Sequence, residues 1–133
     1  MNFTKQIDAA QSLFYAMNTR NVEVLEEHLA EDAVFDFPGV EPIHGARKIV
    51  MFLKVLFRKY PRLTFTIEDI IHDGERLAVV WHNEGENTLR MPYRNRGVTI
   101  IRIVNDKIFS ISDYFKDTSF VSAQHRRSNT EGV

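Results

Sequence analysis

Cysteine is missing from all 133 residues, which excludes disulfides and thiolate metal sites. Six glycines and four prolines are too few for a low-complexity tract or a flexible linker. Charge of neither sign predominates. The 17 Lys plus Arg oppose 18 Asp plus Glu, so there is no overall field to draw nucleic acid or an anionic membrane. No run approaches the roughly 18 uninterrupted apolar residues of a membrane span. The opening Met1-Asn2-Phe3-Thr4-Lys5-Gln6 continues into mixed polar residues, not a signal-type apolar run. Phosphate-cradling glycine loops and nucleophile elbows are also lacking. The expectation is a cytoplasmic protein with no nucleic-acid or membrane partner.

What the chain does contain is apolar bulk, with 44% hydrophobic residues and ten Phe, enough for one domain with a real core. Ile7, Ala10, Phe14 and Met17 recur at helical spacing and predict a helix over 4–18. Asn21 is placed to cap a short second helix carrying Val24, Leu25 and Leu29. A third helix runs over 46–60 on the stripe Ile49, Phe52, Leu53, Leu56 and Tyr60, and Pro61 stops it. A short strand, Ala33 to Phe37, lies between the second and third helices.

Beyond Pro61 the period changes to two. Leu63, Phe65 and Ile67 alternate with polar residues, Asp73-Gly74 predicts a hairpin turn, and strands follow over 77–86, 96–104 and 107–116. Helices first and an antiparallel sheet afterwards is an α+β arrangement. The domain spans 1–120, and the polar 121–133 reads as a loose tail.

The last strand holds the most telling residue. Alternation puts Phe109, Ile111, Asp113 and Phe115 on one face, so a carboxylate is aimed where the pattern demands a core. Such a group must be paired, hydrogen-bonded or shifted to hold a proton. The turn before it decides the register. A two-residue loop pairs Val98 with Asp113 and brings Arg102 to the core side. A three-residue loop pairs Thr99 with Asp113, Ile101 with Ile111 and Ile103 with Phe109, keeping Arg102 out, and is preferred.

His82 and Glu84 lie two apart on a strand and share a face with Ala78 and Val80. If that face is the one Asp113 occupies, an imidazole and two carboxylates converge, with acid and base roles set apart by environment; a strand end meeting solvent is the alternative. Trp81 then falls on the outer face. His28, His44, His72 and His125 sit in separate segments, and no paired-histidine spacing occurs, so no metal is expected. Arg90, Arg94, Arg96 and Arg102 with Tyr93 form a basic patch that reads as a solvated strand edge. Val98, Ile100, Val104, Ile108 and Tyr114 make the opposite face of the last hairpin apolar too, which predicts a homodimer through the outer sheet face.

The order of elements, with Ala30-Glu31-Asp32-Ala33 before the first strand and Ser112-Asp113-Tyr114-Phe115 in the last, resembles the NTF2-like superfamily. Within it the chain is similar to the SnoaL-like group, relatives of polyketide cyclases, ketosteroid isomerases and limonene epoxide hydrolases. The resemblance implies an NTF2-like cone, with three N-terminal helices on a curved, mainly antiparallel sheet around a pocket. It also implies departures. Phe37, Leu13 and Thr99 stand near the isomerase base, tyrosine and oxyanion-hole acid. Of the epoxide-hydrolase water-holding set only the last-strand Asp113 is matched, with His82 and Glu84 at its Arg and Asp positions and Phe35 and Phe37 at its Tyr and Asn positions. Asp113 fits the last-strand base of polyketide-cyclase-like members.

The expectation is therefore cofactor-free proton transfer on a small hydrophobic carbonyl compound. Asp113 would be the base, His82 the proton donor and Glu84 its orienting group, with Phe35, Phe37, Thr99, Ile111, Phe115 and His44 lining the pocket. A non-catalytic ligand-binding or accessory domain is the alternative, and a protein-interaction scaffold a third reading.

Overall fold

In the computed structural model, residues 3–117 are described. Helix α1 (Phe3–Thr19) buries Ala10, Phe14 and Met17 of the expected stripe and also Leu13, while Ile7 is half-buried. Arg20 ends it with a positive φ of 66°, a left-handed conformation that costs a β-carbon residue roughly 1 kcal/mol. The offset is visible: its guanidinium donates to the carbonyls of Met17, Tyr60 and Leu63. One side chain thus closes a helix end and ties it to the segment entering the sheet.

The second helical segment is a single 3-10 stretch, Val22–Glu27, and Asn21 precedes it without a side-chain capping bond. Two α-helices and this turn replace the three helices expected. Helix α2 (Ala46–Lys59) buries Ala46, Ile49, Val50, Leu53 and Phe57. Among the described residues no helix is long and apolar enough to cross a membrane.

Six strands form one sheet: β1 (Leu29–Asp36), β2 (Ile43–His44), β3 (Thr64–Asp73), β4 (Arg76–Glu86), β5 (Pro92–Val104) and β6 (Lys107–Phe115), in the order β2-β1-β6-β5-β4-β3. Among the described residues only the β1–β6 pair is parallel. β5 starts four residues earlier than its sequence pattern suggested. It pairs along the whole of β4 from Glu86↔Pro92 onward, and proline is tolerated at a strand's first residue. Both α-helices and the 3-10 turn pack on one side of the sheet, α1 against β3 and β4 and α2 against β1. Asn18 pins α1 to edge strand β3, accepting from the Phe65 amide (2.8 Å) and donating to its carbonyl (2.9 Å).

The last hairpin settles the register in an unexpected way. Its loop has two residues, Asn105 and Asp106, both at positive φ (52° and 64°), the signature of a type I′ turn. Two residues alone would have carried Asp113 opposite Val98. A β-bulge at Phe109 restores the other register, so that Ile103 pairs with Ile108, Arg102 with Ser110, Ile101 with Ile111 and Thr99 with Asp113. The expected Ile103–Phe109 pair does not form. Ile108, assigned by alternation to the outer face, is a core residue at 1% exposure. The Phe109 ring lies 5.8 Å from the Arg102 guanidinium.

Candidate functional site

Three transverse rows of the helix-facing side build the site. Val79, Thr99 and Asp113 stand in register across β4, β5 and β6; Trp81, Gly97 and Phe115 form the next row; Asn83 and Asn95 pair in the third. Over them lie Leu13, Phe14 and Met17 of α1 and Leu53, Leu56 and Phe57 of α2, enclosing a cavity of about 40 Å³. That is room for a few waters, each needing about 10–15 Å³ on this measure. Phe35, Phe37, Phe52 and Phe115 narrow it. Phe37 is edge-on to Phe52 with centroids 5.1 Å apart and tilted against Phe115 at 5.5 Å.

Inside this apolar shell the polar groups are ordered by a one-way hydrogen-bond chain. The Trp81 indole N–H donates to Thr99 Oγ1 (2.8 Å), and Thr99 Oγ1 donates to Asp113 Oδ1 (2.6 Å). An indole can only donate, so Thr99 Oγ1 accepts there and its own proton is left to go to the ionised carboxylate. Oδ1 is thereby occupied as an acceptor, and Oδ2 receives no donor among the described residues.

Burial pushes the Asp113 carboxyl up, the Thr99 bond pulls it partly back, and nearby Asp36 adds upward pressure; the result is a pKa of about 7. The residue lines the cavity. A carboxyl in this range exchanges a proton in either direction at neutral pH.

Of the pocket residues expected from sequence, Phe35, Phe37, Thr99, Ile111, Phe115 and Asp113 all line the cavity. His44 does not; it is exposed on β2 opposite Val34. Nor do His82 and Glu84 meet Asp113. They occupy the opposite face of β4, where His82 Nδ1 bonds Glu68 Oε1 (2.8 Å) and Glu84 pairs with Arg94 (3.6 Å). Glu68 falls where the β3–β4 register shifts. Its bond to His82, assisted by Arg96, holds it below the usual glutamate range.

The face of β4 is thus the reverse of that expected. The larger apolar set, Leu77, Val79 and Trp81, points inward at 3% exposure or less, and the ionisable residues stay where water can reach them. His82→Gln should therefore leave ligand binding unaffected and change stability by no more than about 1 kcal/mol in a urea titration.

Sequence reasoning also missed Trp81, Asn83, Tyr60 and Tyr93 as pocket residues. The signal for Trp81 was present in the greater apolar weight of its face. Burial raises the hydroxyl pKa of Tyr93 to about 12 and shifts that of Tyr60 upward, so both remain protonated phenols.

Gly97 makes the indole's position possible. A β-carbon there would come within 2.6 Å of Trp81 Cζ2 and 2.5 Å of the Tyr114 carbonyl oxygen. Gly97→Ala is expected to cost about 1–3 kcal/mol through overpacking and to shift the Trp81 emission as the ring is displaced. An unchanged emission spectrum and melting temperature would contradict this placement. Among the described residues no group of three or more His, Asp or Glu is arranged to hold a metal ion.

A profile of the SnoaL-like domain matches residues 10–111. No protein of curated function matches the sequence. Among solved structures, an NTF2-like protein of unknown function from Burkholderia pseudomallei is similar at a TM-score of 0.80 and 15% identity, covering 90% of this chain and 96% of that one. A protein with a ketosteroid isomerase-like fold from Catenulispora acidiphila gives 0.77 and 17%, covering 84% and 87%. An epoxide hydrolase resembling limonene epoxide hydrolase, from Mycobacterium tuberculosis, gives 0.71 and 20%, covering 85% and 84%. At these identities the likeness is one of fold.

Proposed function

The chain belongs to the SnoaL-like family, and from that premise we propose that it binds a small hydrophobic carbonyl compound and catalyses a cofactor-free proton transfer on it, of isomerase or cyclase type. One observation carries this reading: a carboxyl held by the Trp81–Thr99 chain, and pushed up by burial to about 7, lines a largely apolar pocket.

Asp113 Oδ2 takes a proton from the carbon beside the carbonyl, and the C–H electron pair moves to the carbonyl oxygen. In an unsaturated ketone Oδ2 then returns that proton to the far carbon of the conjugated enolate, which shifts the double bond; in a cyclisation the enolate carbon attacks a second carbonyl instead and Oδ2 gives the proton to the alkoxide that forms. Thr99 and Trp81 act as positioning residues, since they hold Oδ1 and leave the other oxygen to the substrate. Aromatic walls exclude water, which strengthens the electrostatics of the transfer.

A carbon-13 NMR titration tests this without the natural substrate. The Asp113 carboxyl should titrate near 7, and β-tetralone, a hydrophobic ketone, should move its midpoint. An ordinary midpoint near about 4 would remove the base. The second reading, a non-catalytic binding domain, draws on the narrowness of the cavity. It is favoured if β-tetralone binds but exchanges no α-protons with heavy water beyond the buffer rate.

A second copy of the chain is proposed to cover the outer sheet face, where Val80, Val98 and Ile100 are half-buried and Tyr114 is 60% exposed. Sedimentation equilibrium gives the mass that decides it.

A further inference from the structure

Asn83 is 5% exposed and lines the cavity, yet its side-chain Oδ1 is buried with no hydrogen-bond partner. A buried, unpaired amide oxygen is destabilising, and no protein donor bonds it, the Tyr60 and Tyr93 hydroxyls of the same cavity included. Across the sheet, Asn95 commits both amide hydrogens, to the Tyr93 hydroxyl (3.0 Å) and the Asp117 carbonyl (2.8 Å). Its own Oδ1 accepts from the Arg96 and Asp117 amides. The strand neighbours on the inner face, Phe65 and Trp81, offer only apolar surface here, since the Trp81 N–H is taken by Thr99. An asparagine kept in this position at a cost to stability marks a place where a bound molecule brings the missing donor.

We propose that Asn83 is the specificity-determining residue of the pocket and that its ligand carries a hydroxyl group at the end remote from Asp113. This rests on the reading of the cavity as a small-molecule site and adds the substrate class, a hydroxylated hydrophobic compound. The separation follows from the rows. Asp113 shares a row with Val79 two strands away, and Val79 is four residues from Asn83 along β4; about 13 Å along the strands and about 10 Å across them put the two Cα atoms about 16 Å apart. A ligand meeting both groups is elongated, with an apolar body between two polar ends, and it is larger than the cavity of about 40 Å³, so binding it requires the narrowing aromatic rings to part.

The test compares three probes of one shape on the intact protein: para-propylphenol, which has a donor, para-propylanisole, which keeps the oxygen but not its hydrogen, and propylbenzene. Binding is followed by amide chemical shifts, including the Asn83 side-chain NH₂ signal. The phenol is expected to bind on the order of tenfold tighter than the anisole and to move the Asn83 signal, which the other two leave in place. In Asn83→Leu, which should fold because an isolated polar group is replaced by an apolar one, the preference should vanish while propylbenzene still binds.

Equal affinities for phenol and anisole in the parent would overturn the assignment of Asn83 and leave the apolar pocket standing. Failure of all three probes to shift any cavity residue would overturn both. Should the leucine variant not fold, the parent comparison and the Asn83 signal decide alone.

Discussion

Asp113→Asn should lower proton-transfer activity by about two to four orders of magnitude while making the protein harder to unfold in mildly alkaline solution. The two effects have one cause. The folded-state pKa of Asp113 lies well above its ordinary 3.8, at about 7, with burial the largest contribution. Below about pH 4 the folded and unfolded chains both hold the proton. As pH rises the unfolded chain releases it first, so the stability associated with this group is present in acid and is lost on the way to about pH 7. The full shift corresponds to an upper bound on the order of 4 kcal/mol, reduced by any water that enters the cavity. Asparagine still accepts from Thr99 but never ionises. The variant's melting temperature should exceed the parent's by a wider margin at about pH 8 than at about pH 5. Equal margins would mean that the parent carboxyl titrates as if in water.

Phe37→Ala should be the most destabilising single change at the pocket, at about 3–5 kcal/mol in urea or thermal unfolding. The ring is 8% exposed and contacts Phe35, Phe52 and Phe115 with centroids 5.1–6.0 Å apart. Removing it deletes buried area and three aromatic contacts together, and the wall it leaves cannot collapse because its neighbours come from β6, α2 and β1. The same deletion enlarges the cavity, so propylbenzene should raise the variant's melting temperature more than the parent's. A cost below about 1 kcal/mol would show that this ring is not part of a packed wall.

These outcomes bear on different parts of the sequence reading. The cavity wall was legible because Phe35, Ile111 and Phe115 sit in strands whose period-two pattern admits little choice of face, and Phe37 directly follows β1 in the same alternation. The pairing of Thr99 with Asp113 was legible for a partly mistaken reason: excluding Arg102 from the core required that register, but a bulge at Phe109 achieves it, not a longer turn. No local signal announced the bulge, because Ile108 and Phe109 are both apolar and either could have pointed inward.

β4 was misread because its two faces are nearly balanced. Ala78, Val80, His82 and Glu84 alternate with Leu77, Val79, Trp81 and Asn83, and the ionisable pair drew the expected site to the wrong side. The greater volume of Leu77 and Trp81 decides the matter energetically, since burying them removes more apolar surface from water.

By itself the amino-acid sequence determined the order of elements, the α+β class, the aromatic wall and the inward carboxyl, because these follow from hydrophobic period, turn residues and chain length, all local quantities. Only the tertiary structure decided which groups share the pocket with Asp113. Facing is a matter of strand parity, one added residue inverts it, and the energy that chooses between the two parities resides in contacts between strands and helices far apart in the chain. Hence Trp81 and Thr99 hold the acid, Asn83 lies at the far end of its pocket, and the histidine lies on the other side of the sheet.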